Sequence, residues 1–141
     1  MIKQQTLNII KPDATSRRLV GKIMQFFENN NIEITKIKKI LLNKEQTMKL
    51  YYKHRFKIFF KFLIQYMISN PIIVILLMGT KVIIKNKILL GNTNPKKAYK
   101  KTIIKTFAID IQKNSIHGSD NKKNADREIT FFFKYQKKVF E

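Results

Sequence analysis

The order of strand-like and helix-like segments predicts an α/β (α+β) fold: a ferredoxin-like, antiparallel four-stranded sheet covered by helices. Three observations lead there. The segments run β-α-β-α-α-β-α-β-α, an alternation that suits one split sheet with helices packed on it. Hydrophobic residues make up 44% of the 141, enough for a real core and too many for global disorder. No internal repeat, Pro- or Ser-rich linker or low-complexity tail breaks the pattern, so residues 1–141 read as a single domain.

Taken in order, Thr6 to Ile10 is a short apolar strand ending at Lys11-Pro12-Asp13, read as a loop because Pro12 cannot extend a central ladder. Arg18 to Asn29 carries Leu19, Ile23, Met24, Phe26 and Phe27 at helical spacing, closed by Asn29-Asn30-Asn31. Ile32 to Leu42 alternates Ile and Lys imperfectly, as a half-buried strand does. Lys44 to Tyr52 and Phe60 to Ile68 read as helices, the second ended by Ser69-Asn70-Pro71. Ile72 to Met78 is apolar and β-branched, which fits a strand covered on both faces. Val82 to Leu90 is a helix stopped by Gly91. Lys96 to Asp110 reads as a long loop with a helical turn or two, and such loops are usually functional. Asn114-Ser115-Ile116 is a brief strand leading into His117-Gly118-Ser119-Asp120, and Asn121 to Phe133 is the closing helix.

Composition narrows the function. Cysteine is absent, which excludes disulfides, thiolate nucleophiles and Cys-based metal sites. The N-terminus shows no signal peptide, and Pro71 to Met78, the longest apolar run, is too short to cross a bilayer. A cytoplasmic location is expected. The net charge of +20 suggests nucleic acid or an anionic surface as a partner. Against that, the cations are spread along the chain and nearly all are Lys rather than Arg, the residue suited to base edges. Lys, Asn and Ile are over-represented together, the signature of AT-rich coding. That drift accounts for the charge without a selected partner.

Two histidines are candidates for chemistry. His54 lies in a Lys-rich helix end, where a solvated or C-terminal capping role is the ordinary reading. His117 stands at a strand end before Gly118, which permits close backbone approach, and before Ser119 and Asp120, either of which suits the N-cap of the last helix. Lys11 emerges at a strand's end rather than along a solvated helix. Glu128, eleven residues after His117, is placed to fold back toward the imidazole.

These residues fall in two motifs. Asn8-Ile9-Ile10-Lys11-Pro12-Asp13-Ala14 resembles the opening signature of nucleoside diphosphate kinases, and Asn114-Ser115-Ile116-His117-Gly118-Ser119-Asp120 resembles their active-site motif. Phe59-Phe60, Ser69-Asn70-Pro71, Leu90-Gly91-Asn92-Thr93-Asn94-Pro95 and Arg127-Glu128-Ile129 follow the same family's order, so the resemblance runs from about Thr6 to Phe133. It implies that His117 takes the γ-phosphoryl from a nucleoside triphosphate and passes it to a diphosphate in a ping-pong reaction. Lys11 would approach the ribose hydroxyl and the transferred phosphoryl, with Tyr51 nearby. Phe59 would lie against the base, with Leu63 and Ile111 around it. Thr93 would bind phosphate, Asn114 the ribose hydroxyl, and Glu128 with Ser119 would orient the imidazole. Mg²⁺ would arrive on the nucleotide, with no protein metal site. The partners implied are nucleoside tri- and diphosphates and further copies of the chain, as a homotetramer or homohexamer, with no specific nucleic acid and no membrane.

Two positions depart from that pattern. Lys87 stands where a phosphate-binding Arg is expected, keeping the charge without the bidentate fork. A second Arg position falls on Ile104, with Lys105 adjacent, and the loop before Thr102 lacks its usual Gly. Either a one-residue slip of that loop brings Lys105 to the phosphates in place of Ile104, the favoured reading, or the site works without that contact. The competing functions are a non-enzymatic nucleotide- or nucleic-acid-binding module on the same fold, and a decayed paralogue that turns over poorly. The retained Lys11, Tyr51, Phe59, Thr93, Asn114, His117 and Glu128 favour the enzyme.

Overall fold

The most apolar segment becomes the middle of the molecule. β3 (Ile72–Gly79) has its first six residues buried and lies between β2 (Glu33–Ile40) and β1 (Gln4–Ile10), both antiparallel to it. β4 (Ile116–Gly118) pairs antiparallel with the other side of β1, giving the order β2-β3-β1-β4. This is the expected four-stranded antiparallel sheet. The structure, a computed structural model, describes the backbone of residues 3–140 and the side chains of residues 3–133.

Alternation along β3 feeds two cores. Ile73, Ile75 and Leu77 pack with Ile10, with Ile23 and Phe27 of α2 (Val20–Asn29), and with Val82 and Leu90 of α5 (Val82–Leu90). Ile72, Val74 and Leu76 pack with Leu7 and Ile9, with Leu50 of α3 (Lys44–Leu50), with Met67 of α4 (Phe60–Met67), and with Phe132 of α7 (Lys122–Phe140). Each fully buried aliphatic side chain contributes about 1.5–3 kcal/mol of transfer free energy. A sheet clad on both faces explains why β3 reads as an unbroken apolar run.

The imperfect alternation of β2 has a structural cause. A register shift between Ile34 and Lys36 lets Ile34 face the first core and Ile40 the second, although six positions apart would otherwise place them on one face. The loop expected at Lys11-Pro12-Asp13 is instead the start of a short helix, α1 (Pro12–Ser16), with Pro12 at its first position. There the missing N–H costs nothing and the fixed φ suits the helix. The last strand begins later than its apolar pattern suggests: Ser115 has φ 75°, a left-handed bend, so Asn114 and Ser115 precede β4 and His117 lies within it, opposite Ile9. Asn121, rather than Ser119 or Asp120, caps α7, its side chain accepting from the Asn124 amide at 2.8 Å. α7 continues past Phe133 to Phe140, with neither Gly nor Pro there to stop it. Within the long loop, α6 (Ile103–Phe107) is the expected helical turn.

Candidate active site

The site begins with a buried carboxylate. Asp13, in the first turn of α1, accepts hydrogen bonds from the Ser115 amide at 3.2 Å and the Ser115 hydroxyl at 2.8 Å, and from Arg17 at 2.9 Å. The Tyr66 hydroxyl donates to it as well. These bonds hold Ser115 in its left-handed bend, a conformation costly for a residue with a Cβ. The Lys11 amide then donates to the Ser115 carbonyl at 2.8 Å. With the two segments locked side by side, the Lys11 ammonium reaches Asn114 Oδ1 at 2.9 Å. Asn114 in turn donates from Nδ2 to the Thr93 carbonyl at 3.2 Å. Burial pushes the Lys11 ammonium down to about 8, although the nearby Asp13 charge acts the other way.

One bend further, His117 emerges from β4. Its Nε2 lies 2.9 Å from Glu128 Oε2, and the Ser119 hydroxyl donates to the other carboxylate oxygen. Burial would raise the Glu128 carboxyl, but the hydrogen bond and charge of His117 and the Ser119 hydroxyl outweigh it and hold the group below its ordinary value. Glu128 is therefore ionised at neutral pH and fixes the proton on Nε2. That leaves the Nδ1 lone pair free of Glu128. Gly118 lets β4 pack closely on β1 and α5: a Cβ there would strike Leu90 Cδ1 and stand 2.8 Å from Asn8 Oδ1 and 2.9 Å from the Asn86 amide.

A cleft of about 370 Å³ opens beside this histidine. Lys11, Tyr51, Lys87, Thr93, Ile104, Asn114, His117 and Glu128, all singled out by sequence, line it together. The Tyr51 hydroxyl is buried without a hydrogen-bond partner, and its pKa is raised by burial and by the Glu128 charge. Lys87 meets Asp120 at 2.6 Å, and that bond, reinforced by the Lys87 charge, holds Asp120 below its usual value against its partial burial. Gly91, with φ 89°, ends α5 where a Cβ would strike Thr102 Oγ1 at 2.6 Å, so α6 can close against the cleft. Among the described residues, no group of three or more His, Cys, Asp or Glu side chains gathers as a metal site. No helix among them is long and apolar enough to cross a membrane.

The sequence profile of the nucleoside diphosphate kinase family matches residues 4–138. A nucleoside diphosphate kinase from Campylobacter jejuni is 47% identical over 131 residues, covering 93% of this chain and 96% of the relative. The chain belongs to the nucleoside diphosphate kinase family. A Helicobacter pylori nucleoside diphosphate kinase is 46% identical over 132 residues, 94% of this chain and 96% of its own. Among solved structures, the Aquifex aeolicus nucleoside diphosphate kinase superposes with a TM-score of 0.90 at 32% identity, covering 94% of this chain and 96% of that one. The family fold and the sheet described above are therefore the same.

Two sequence readings, the loop slip and the solvated His54, need correction against this structure. The slip that would bring in Lys105 is absent: the Thr102 hydroxyl caps α6 by accepting from the Lys105 amide at 3.2 Å. That cap turns Ile104 into the cleft wall, 2% exposed, and sends the Lys105 ammonium out to the Pro95 carbonyl at 3.2 Å. Phe59 is not among the residues that line the cleft, but its ring centroid is 6.0 Å from that of cleft-lining His54. Leu63 is half-buried against the second core, and Ile111, 57% exposed on a surface loop, stands outside the cleft. His54 is no solvated cap; it lines the cleft with a buried, unpartnered Nδ1, and burial, then Lys57, His117 and Lys53, lower its pKa. The available signal was spacing, since His54 follows Tyr51 by three residues, on one face of a turn. Lys53, Asn124 and Arg127 also line the cleft; Lys53 and Asn124 carried no sequence signal of their own, and Arg127 only its place in the Arg127-Glu128-Ile129 segment.

Proposed function

We propose that this nucleoside diphosphate kinase moves the γ-phosphoryl group through His117. The Nδ1 lone pair attacks the γ-phosphorus, the bond to the bridging oxygen breaks, and a nucleoside diphosphate leaves. A second diphosphate then takes the phosphoryl group from nitrogen and restores the imidazole. The observation that carries this is the buried Glu128 on Nε2, which leaves Nδ1 free in a cationic cleft. A module that only held nucleotide or nucleic acid would have no use for a carboxylate behind an imidazole.

The remaining roles follow from position. Lys11 and the Tyr51 hydroxyl offer donors to the transferred phosphoryl, whose charge spreads over its oxygens in the transition state. Asn114, already bonded to Lys11, suits a sugar hydroxyl, and Phe59 offers the base a ring face that is tolerant of base identity. Thr93, Lys87 and His54 meet phosphate oxygens. Ile104 gives the cleft an apolar wall where a charge is expected, and Leu63 and Ile111 contribute only if nucleotide binding draws them in. Mg²⁺ enters as part of the substrate, on the phosphates. Exposed Ile37 on the free edge strand β2 and Leu41 just beyond it support self-association, as a homotetramer or homohexamer in the cytoplasm; light scattering would count the copies.

Incubation with γ-labelled ATP should leave label on the protein that is released by acid and survives base, the behaviour of a phosphoramidate. Base-labile, acid-stable label, or none, would overturn the route. The depressed Lys11 adds a pH signature. Its ammonium is lost as pH rises through about 8, so kcat/KM should fall there with a one-proton slope. Stability runs the other way. The unfolded chain keeps this proton up to about 10.5, binds more protons than the folded chain across that interval, and so stability rises with pH. Falling activity without a falling melting temperature is the expected pair; a flat activity profile across the interval sinks the assignment.

A further inference from the structure

The cleft holds four basic side chains with very different partners. Lys87 is engaged by the Asp120 carboxylate at 2.6 Å. Arg127 lies 3.7 Å from Glu128. Lys11 is buried beside the Asp13 charge. Lys53 differs: its ammonium donates to the neutral Asn124 Oδ1 at 2.9 Å, and no carboxylate pairs with it among the described residues.

Its position is set by two elements. Lys53 sits in the short 3-10 turn Tyr52–His54, between the two cleft-lining residues Tyr51 and His54. Asn124 lies on α7 exactly one i,i+4 step before Glu128, hence on the same helical face as the carboxylate that orients His117. The Lys53–Asn124 bond thus ties the turn to α7 beside the nucleophile. The charge is felt inside: Lys53 is among the groups that lower both His54 and Asp120, behind burial, Lys57 and His117 at the first and behind Lys87 and His117 at the second. An uncompensated ammonium, held by one neutral acceptor at the wall of an anion-binding cleft, exchanges that acceptor for a phosphate oxygen at little cost.

We propose that Lys53 is a phosphate-contacting residue of this enzyme, giving up Asn124 to meet the terminal phosphates of the bound nucleotide. The assignment rests on the reading of this cleft as the nucleotide site. Its ligand is the polyphosphate, not the base or sugar, and that difference gives the test. Lys53→Met should weaken ADP binding by about tenfold, the loss of one charge-assisted contact, and raise KM in the exchange reaction. Binding of adenosine, which lacks phosphate, should stay unchanged, and Lys53→Arg should recover most of the ADP affinity. Equal losses for ADP and adenosine would mean that Lys53 only braces the turn, and an unchanged ADP affinity would mean that its ammonium stays on Asn124; either result overturns the proposal. Acid-labile label on the wild-type protein is read in parallel. Its absence would dismiss the His117 route itself, whereas its presence with an unaffected Lys53→Met dismisses Lys53 alone.

Discussion

Replacing His117 by alanine is expected to abolish both the acid-labile label and nucleotide exchange while leaving the melting temperature close to that of the wild type. The imidazole is only partly buried, and its one described hydrogen bond runs to Glu128. Truncation therefore opens little cavity, and Glu128 keeps its bond from Ser119. No other group in the cleft is equipped to replace it. His54 has a free Nδ1, but no carboxylate bonds to its ring among the described residues, and the cations around it depress its basicity. His54→Ala should thus keep the covalent intermediate and lose only part of the rate. Exchange at the wild-type rate in His117→Ala would end the covalent route, whatever the label shows.

Asp13→Ala is expected to have the largest effect on stability, about 3–5 kcal/mol, because it removes the acceptor shared by buried donors. Tyr66, the Ser115 amide and the Ser115 hydroxyl would all lose a partner, and Arg17 would lose its ion pair. The bend at Ser115 would have nothing to hold it against its own backbone preference. Denaturant titration reads the first consequence, and the ADP affinity of the folded fraction reads the second. Asp13→Asn should be milder, since an amide oxygen still accepts. A variant lacking the carboxylate with unchanged midpoint and unchanged affinity would show that the bend supports itself.

What could be read in the chain and what could not divides along physical lines. The strand β3 and the helix α5 declared themselves because burial on both faces, or a Gly stop, imprints the local composition. Motifs far apart in the chain pointed to His117 and Glu128, which the fold brings within 2.9 Å of each other. Side-chain direction was not legible at all in the loop. Whether Ile104 or Lys105 faces the cleft depends on where α6 starts, which the Thr102 cap marks with a hydrogen bond from the Lys105 amide. His54 misled for a related reason. A Lys-rich neighbourhood reads as solvent, but a 3-10 turn after α3 rotates the ring into the cleft while Arg55 stacks outward on Tyr52. The helix start at Pro12 was missed because a proline that breaks a strand serves equally well to begin a helix.

The pairing of Lys11 with Asn114, 103 positions away, bears on how the enzyme comes into being during its synthesis. Ribosomes deliver Lys11, Tyr51 and Thr93 long before His117 and Glu128 exist. The β4 strand that carries the nucleophile is three residues long and hangs on the edge of β1, so it cannot dock before the rest of the sheet is ready. On the proposed route, a nascent chain that stops short of β4 has cations to attract a nucleotide but no imidazole to receive a phosphoryl group, and one that stops short of α7 has the imidazole but no Glu128 to aim it. The proposed chemistry therefore waits on α7, whose Glu128 must reach the His117 ring.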